Sequence, residues 1–96
     1  MSKIEITYQP LEGENILEAL ALLSEKDVIR LQNKQRKGIV AFYKGAFVGV
    51  LVYEVRGKYI IMDRVAVQTE YQRLGIGTCL VTALGKLAEV MKYEFV

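Results

Sequence analysis

The sequence has few of the residues that commonly fix a structure or carry a reaction. Its 96 residues include no histidine, no tryptophan, one proline and one cysteine. A single cysteine excludes an internal disulfide. No apolar run approaches the ~20 residues that a membrane-spanning helix needs, and the N-terminus lacks the basic-then-apolar pattern of a secretory signal. We therefore expect a soluble, cytoplasmic protein.

The charge balance says little about partners. Thirteen lysines and arginines face eleven acidic residues, which leaves a formal net charge of +2. That balance does not by itself indicate a nucleic acid or a membrane as partner. Because an apolar fraction of 52% suffices for one core at this length, we expect a single domain over residues 1–96.

Hydrophobic periodicity predicts the order of the elements. Alternating, β-branched and aromatic residues indicate strands at 4–8, 38–44, 46–55 and 58–68, and residues 93–96 look like the start of another. Capping-box patterns at Asn15–Glu18 and Ser24–Asp27 indicate helices at 15–23 and 25–34, followed by a longer helix at 75–92. The pattern predicts an α/β (α+β) fold of order β-α-α-β-β-β-α-β, with a mixed, mainly antiparallel sheet and helices on both faces.

The most informative segment is residues 65–78, where an apolar strand and a polar turn with two glycines lead into a helix. The first N–H groups of a helix lack main-chain partners and lie at its positive end, so such a turn favours an anion such as phosphate. A Walker loop is excluded because Gly85-Lys86 lies inside a helical pattern and precedes Leu87. A dinucleotide fingerprint is excluded because Leu80 stands where its third glycine belongs.

What remains is Gln72-Arg-Leu-Gly75-Ile-Gly77, which matches the pattern Gln/Arg-x-x-Gly-x-Gly/Ala. After a strand and at the start of a helix, this motif resembles the coenzyme A site of the GNAT superfamily of N-acyltransferases, and the element order between Ile4 and Val96 is similar too. The resemblance implies an N-acetyltransferase with acetyl-CoA as cosubstrate, no metal, and an amine of a small molecule or protein as acceptor.

The resemblance also implies the cofactor-binding residues. The main chain of the turn would hold the pyrophosphate, with the Thr78 hydroxyl as an extra donor and Arg73 at the rim. The fourth strand would bind the pantetheine arm through its backbone, where a bulge near Arg64 or Ala66 splays it from the fifth, and the Val67 amide would polarise the thioester oxygen. The implied set is Val65, Val67, Gln72, Arg73, Leu74, Gly75, Ile76, Gly77 and Thr78.

The catalytic residues are less sharply defined. Family members transfer the acyl group directly to the amine, so the lack of histidine is compatible with activity. Some relatives place a base glutamate where this chain has Ile61. Asp63, on the same strand face, is the first candidate for base or water relay, and Glu54 on the neighbouring strand is the second. The alternative for Asp63 is a surface ion pair with Arg64 or Lys58.

Other features have a structural alternative. The tyrosine with which relatives protonate the thiolate would lie beyond residue 96, so Tyr71 or Tyr93 would have to replace it, although Tyr71 could simply pack the turn. Cys79 is either a reactive thiol or a small buried residue. The basic cluster at 34–37 either guides an acidic ligand or is solvated. Residues 93–96 would form an exposed edge strand that could pair in a homodimer.

Two further functions stay open at the level of sequence. Ile61 and the missing tyrosine suit a non-catalytic acyl-CoA-binding or interaction module with the same fold. The basic cluster is the sole support for a nucleic-acid-binding domain, which we do not favour.

Overall fold

One five-stranded sheet with helices on both faces forms the protein, in a computed structural model that describes residues 5–32 and 34–95. The elements are β1 (Ile6–Pro10), α1 (Asn15–Leu20), α2 (Glu25–Arg30), β2 (Arg36–Tyr43), β3 (Ala46–Arg56), β4 (Tyr59–Val67), a 3₁₀ helix (Thr69–Leu74), α3 (Ile76–Met91) and β5 (Glu94–Phe95). The predicted fold class and element order are confirmed. None of the described helices combines the length and apolarity that crossing a bilayer requires.

The sheet has the strand order β1-β2-β3-β4-β5. The first four strands pair antiparallel, whereas β5 runs parallel to β4 and pairs with it only at Tyr59–Glu94 and Ile60–Phe95. The mixed, mainly antiparallel sheet is therefore confirmed, and only the first two residues of β4 pair with β5.

The alternation of β3 builds two cores, one on each face of the sheet. Leu51 packs toward α3, whose Ile76, Leu80 and Leu84 lie four residues apart on one stripe and are fully buried. Val50 and Val52 point to the opposite face and pack with apolar residues of the α1–α2 segment. The burial of both faces fixes the register of β3, since a shift by one residue would exchange its two faces.

The first strand and the first two helices differ from prediction at their ends. β1 extends through Pro10, which pairs opposite Ile39, because an edge strand tolerates a residue without an N–H. Its predicted start at residue 4 lies outside the described residues. Helix α2 ends at Arg30 rather than at residue 34, and α1 ends at Leu20 rather than at 23.

Only one of the two predicted capping boxes forms. Asn15 is the first residue of α1 rather than its cap, and its side chain bonds the turn before the helix, accepting from the Glu12 amide at 2.8 Å and donating to the Pro10 carbonyl at 2.9 Å. Asparagine side chains commonly compete in this way for local backbone groups. The Asn15–Glu18 box is therefore wrong, whereas Ser24 and Asp27 form the reciprocal box at the start of α2.

Asp27 links this cap to β4. Its carboxylate accepts from the Ser24 amide at 3.0 Å and lies 3.0 Å from Arg64 Nε, although the residue is only 6% exposed. Burial opposes its charge, but the hydrogen bonds from Ser24 and the nearby Arg64 and Arg30 outweigh that effect and hold the pKa of Asp27 below its ordinary value.

We expect Asp27→Asn to lower the free energy of unfolding by about 1–2 kcal/mol at neutral pH. A carboxyl whose folded-state pKa is lowered stabilises the fold above its unfolded-state pKa of about 3.9, and this stabilisation disappears as the pH falls through the folded-state value. Urea denaturation should therefore show a much smaller difference between variant and wild type near pH ~2. The control is Glu25→Gln, an exposed acid in the same turn; equal losses at both pH values would contradict the assignment.

Candidate functional site

The polar turn after β4 leads into α3, and its last residue, Gly75, has a left-handed backbone conformation. Gly75 has φ 76° and ψ 21°, a conformation that glycine adopts at little cost, and it caps the 16-residue helix without any side chain. The first helical bond runs from the Cys79 amide to the Gly75 carbonyl at 3.0 Å. The amides of residues 76–78 therefore lie at the positive end of α3 without helical partners, which is the geometry of an anion site.

The residues predicted for the pyrophosphate form one continuous turn, and their side chains point in different directions. Gln72 donates from its side-chain amide to the Val67 carbonyl at 3.2 Å and so ties the turn to the end of β4. Arg73, Leu74 and Thr78 are exposed. Ile76 is fully buried, so only its backbone is available to a ligand.

Gly77 brings the turn next to β4. A Cβ at this position would lie 3.7 Å from Val65 Cγ1 and 3.9 Å from Val67 Cγ2. These are ordinary contact distances, so alanine fits here, but a longer side chain would have to extend over the strand or into the anion site. Because Gly77 has no side chain, one ligand can contact both the predicted phosphate turn and the predicted pantetheine strand.

The hydrogen-bond pattern of β4 turns Val65 and Val67 toward its outer edge. In an antiparallel ladder, alternate residues bond inward to the same neighbour. The Gln68 amide donates to the Val48 carbonyl of β3 at 2.8 Å, which sets this phase. The main-chain groups of Val65 and Val67 therefore face the other edge, where no strand of the described residues pairs beyond Ile60.

A β-bulge lies on the same strand. Val52 pairs with Arg64 and Tyr53 with Met62, so Asp63 is an extra residue of β4. The bulge predicted near Arg64 thus lies one residue before it. Because a bulge places two successive residues on one face, Asp63 and Arg64 both point to the α2 side, where they meet Arg30 and Asp27 respectively.

Both candidate bases belong to one ion-pair cluster around Arg36. This arginine bonds Asp63 through Nη1 and approaches Glu54 through Nη2 at 3.6 Å. Arg30 contacts Asp63 at 3.7 Å, and Arg56 contacts Glu54 at 3.2 Å. The Glu54 and Arg36 side chains are only 9% and 14% exposed. The structure thus brings the two carboxylates together, each with two arginines.

The sequence interpretation missed this role of Arg36. It treated Arg36 as part of a basic cluster at 34–37 that either guides an acidic ligand or is solvated, and it named an ion pair with Arg64 or Lys58 as the alternative to a catalytic role for Asp63. In the described part of the chain, Asp63 pairs with Arg36 and Arg30, and Arg64 pairs with Asp27. No local signal pointed to this role, because the predicted strand began at residue 38, whereas β2 begins at Arg36 and its pairing with β3 sets Arg36 opposite Glu54.

The remaining candidates have packing roles in this arrangement. Tyr71 stacks edge-on against Tyr43 with ring centroids 6.3 Å apart, so it packs the turn. Tyr93 is half-buried against the core under α3. Cys79 is half-buried in the first turn of α3, where its carbonyl accepts from the Tyr8 hydroxyl at 3.3 Å.

Comparison with known proteins identifies the family. The model of the acetyltransferase (GNAT) family matches residues 5–95. No curated protein matches the chain by sequence. Among solved structures, the ribosomal-protein-S18-alanine N-acetyltransferase from Escherichia coli matches with a TM-score of 0.79 at 21% identity, over 91% of this chain and 61% of that one.

Two further structures have the same fold. A ribosomal-protein-alanine N-acetyltransferase from Brucella melitensis biovar Abortus 2308 has a TM-score of 0.79 at 17% identity, over 96% of this chain and 78% of that one. A GNAT family acetyltransferase from Elizabethkingia anophelis with acetyl-CoA bound has a TM-score of 0.74 at 21% identity, over 92% and 60%. At these identities the likeness establishes the fold alone, and the chain spans about three fifths of the Escherichia coli and Elizabethkingia proteins.

Proposed function

Since the chain belongs to the acetyltransferase (GNAT) family, we propose that it transfers the acetyl group of acetyl-CoA to a primary amine of a small molecule or a protein. The observation that carries this proposal is the junction of β4 and α3. There, amides without helical partners at the N-terminus of α3 adjoin the outer edge of β4, which has no strand partner beyond Ile60 within the described residues, beside a residue without a side chain. The relative with acetyl-CoA bound supports the same cosubstrate.

Each part of the cosubstrate has a matching part of the site. The pyrophosphate binds the main chain of residues 72–78, with the Thr78 hydroxyl and Arg73 at the rim. The pantetheine amides pair with the outer edge of β4 at Val65 and Val67, as a further strand would. The uncharged amine then attacks the thioester carbonyl and forms a C–N bond, and the C–S bond breaks. The nitrogen gives up one proton to the base or to a water that the base holds, and the leaving thiolate takes up a proton. The Val67 amide donates to the carbonyl oxygen while it carries negative charge.

NMR of the full chain tests the binding part of this proposal. Saturating acetyl-CoA is expected to shift the amide signals of residues 72–78 and of Val65 and Val67, and to leave those of the β3–β4 turn at Gly57–Lys58, at the opposite end of β4, unchanged. Unmoved signals in the turn before α3 would refute binding of the pyrophosphate by residues 72–78, whatever the fold.

Asp63 is the first candidate for the base, or the holder of a relay water, that accepts the proton of the attacking amine, and Glu54 is the second. We expect Asp63→Asn to lower kcat at least ~10-fold, because base catalysis typically contributes 10²–10⁴-fold, and to leave the Kd of acetyl-CoA unchanged. Steady-state kinetics and calorimetry separate the two effects. The control is Arg30→Gln, which removes an exposed contact of Asp63 at 3.7 Å and keeps the carboxylate. An unchanged kcat in Asp63→Asn would transfer the role to Glu54.

The second candidate function is a non-catalytic acyl-CoA-binding module. It is favoured by Ile61 on β4 and by the arginines that engage both carboxylates. The deciding assay offers a panel of primary amines with acetyl-CoA and measures release of the CoA thiol. Binding by calorimetry without thiol release supports the module, and amine-dependent release supports the enzyme.

The partner and location of the protein remain proposals. Strand β5 is short and exposed, and Phe95 is 40% exposed. Its outer edge is free of strand partners among the described residues, which suits pairing with a second copy of the chain. Light scattering of the purified chain would test the homodimer. A cytoplasmic location rests on the sequence pattern alone.

A further inference from the structure

A groove lies on the α3 face of the sheet, on the side of α3 that is away from β5. It occupies about 890 Å³ between the helix and the strands β1 and β2. A single residue, Thr78, is shared between its lining and the residues proposed for acetyl-CoA. The groove is therefore a separate site, of a size that holds a drug-sized molecule.

The inside of the groove is mainly apolar. Ile39 and Tyr53 form its floor and are 8% and 7% exposed, and Ala83 and Leu87 of α3 form one wall. At the end near the N-terminus of α3, Tyr8 crosses from β1 to the Cys79 carbonyl. Such a surface favours a ligand with an apolar body.

The opposite end of the groove is cationic. Lys37 of β2 and Lys86 of α3 both line it and are exposed, and neither takes part in an ion pair within the described residues. An adjoining cavity of about 350 Å³ shares Lys37 and adds Lys34. Glu12 is the one carboxylate in the groove lining, and Arg36 directs its guanidinium to Asp63 and Glu54 instead.

We propose that this groove binds a small hydrophobic carboxylate, with its apolar body between α3 and the β1–β2 edge and its carboxylate at Lys37 and Lys86. The charge complementarity selects an anion over a neutral or cationic molecule of the same shape. Burial first of all raises the pKa values of Tyr8 and Tyr53, so both side chains stay neutral along the groove, and the Tyr8 hydroxyl already donates to the Cys79 carbonyl.

The only cysteine of the sequence supplies the readout, because Cys79 lines the groove. Decanoate is expected to slow the reaction of Cys79 with a thiol reagent in a saturable way. Decanol and decyltrimethylammonium have the same chain without the negative charge and should protect about 10-fold more weakly, since neither can pair with Lys37 and Lys86. Equal protection by all three, or none by decanoate, would overturn the proposal.

Two variants locate the site and separate it from acetyl-CoA binding. Lys37→Glu combined with Lys86→Glu should weaken protection by decanoate at least ~10-fold without changing the far-UV circular dichroism. Gly77→Glu, which targets the anion site, should leave protection by decanoate intact. Unchanged protection in the double variant, or its loss in Gly77→Glu, would contradict a separate groove site whether or not the chain binds acetyl-CoA.

Discussion

Gly77→Glu is expected to weaken acetyl-CoA binding at least ~100-fold, equivalent to about 2.7 kcal/mol. The glutamate would extend from a position whose Cβ lies 3.7 Å from Val65 Cγ1, so its bulk enters the space between the anion site and β4. Its negative charge would also lie near the pyrophosphate, where repulsion between unit charges a few ångströms apart is roughly 1–4 kcal/mol. Isothermal titration calorimetry with acetyl-CoA measures the loss.

Gly77→Ala is the matched control. A methyl group makes only ordinary contacts there, and alanine stabilises a helix by roughly 0.5–1 kcal/mol relative to glycine. We therefore expect this variant to bind acetyl-CoA within ~3-fold of the wild type, and to be at least as stable. If glutamate at this position left the affinity unchanged while the fold persisted, the pyrophosphate would not bind at the start of α3.

The second large effect concerns Arg36. We expect Arg36→Met to lower the free energy of unfolding by about 2–3 kcal/mol, because it removes one partner of a largely buried pair and leaves Glu54 and Asp63 with their exposed arginines alone. This value lies below that of a fully buried pair because Arg56 and Arg30 still contact the two carboxylates. Urea denaturation followed by circular dichroism gives the difference directly.

Arg56→Met is the matched control, because it removes the same charge from the same carboxylate at an exposed position. Arg56 contacts the same Glu54 carboxylate at 3.2 Å, but its side chain is 65% exposed, so solvent screens the pair. The expected loss is below ~1 kcal/mol. Adding Glu54→Gln to Arg36→Met should recover part of the stability, since the neutral amide needs no countercharge. Equal losses in the two arginine variants would mean that burial of Arg36 does not matter.

The candidate site could be predicted as far as it consists of backbone. The Gln72–Gly77 motif specifies a turn and a helix start, and both form, with Gly75 in the left-handed conformation that the turn requires. Val65 and Val67 could be named only from a family resemblance, because the direction of their amides depends on the pairing phase of β4 with β3. Their roles and those of the turn stay predictions until a ligand is added.

The side-chain part of the site was predicted less well. Asp63 was given Arg64 or Lys58 as alternative partners and Glu54 none, yet the fold brings both carboxylates against Arg36, which is 27 residues distant from Asp63 in the chain. Similarly, Asn15 matched a capping pattern but bonds the preceding turn, because the approach of β1 places the Pro10 carbonyl within its reach. Local patterns do not contain such partners.

The sequence by itself determined the elements, their order and the start of α3, because periodicity, glycines and turn residues act over a few neighbouring positions. Only the tertiary structure decided where β4 opens, where its bulge lies, which arginine joins the two carboxylates, and that a groove with a lysine-lined end exists behind α3. Those features arise from strand pairing and from the packing of α3 on the sheet, which bring together residues that are distant in the chain.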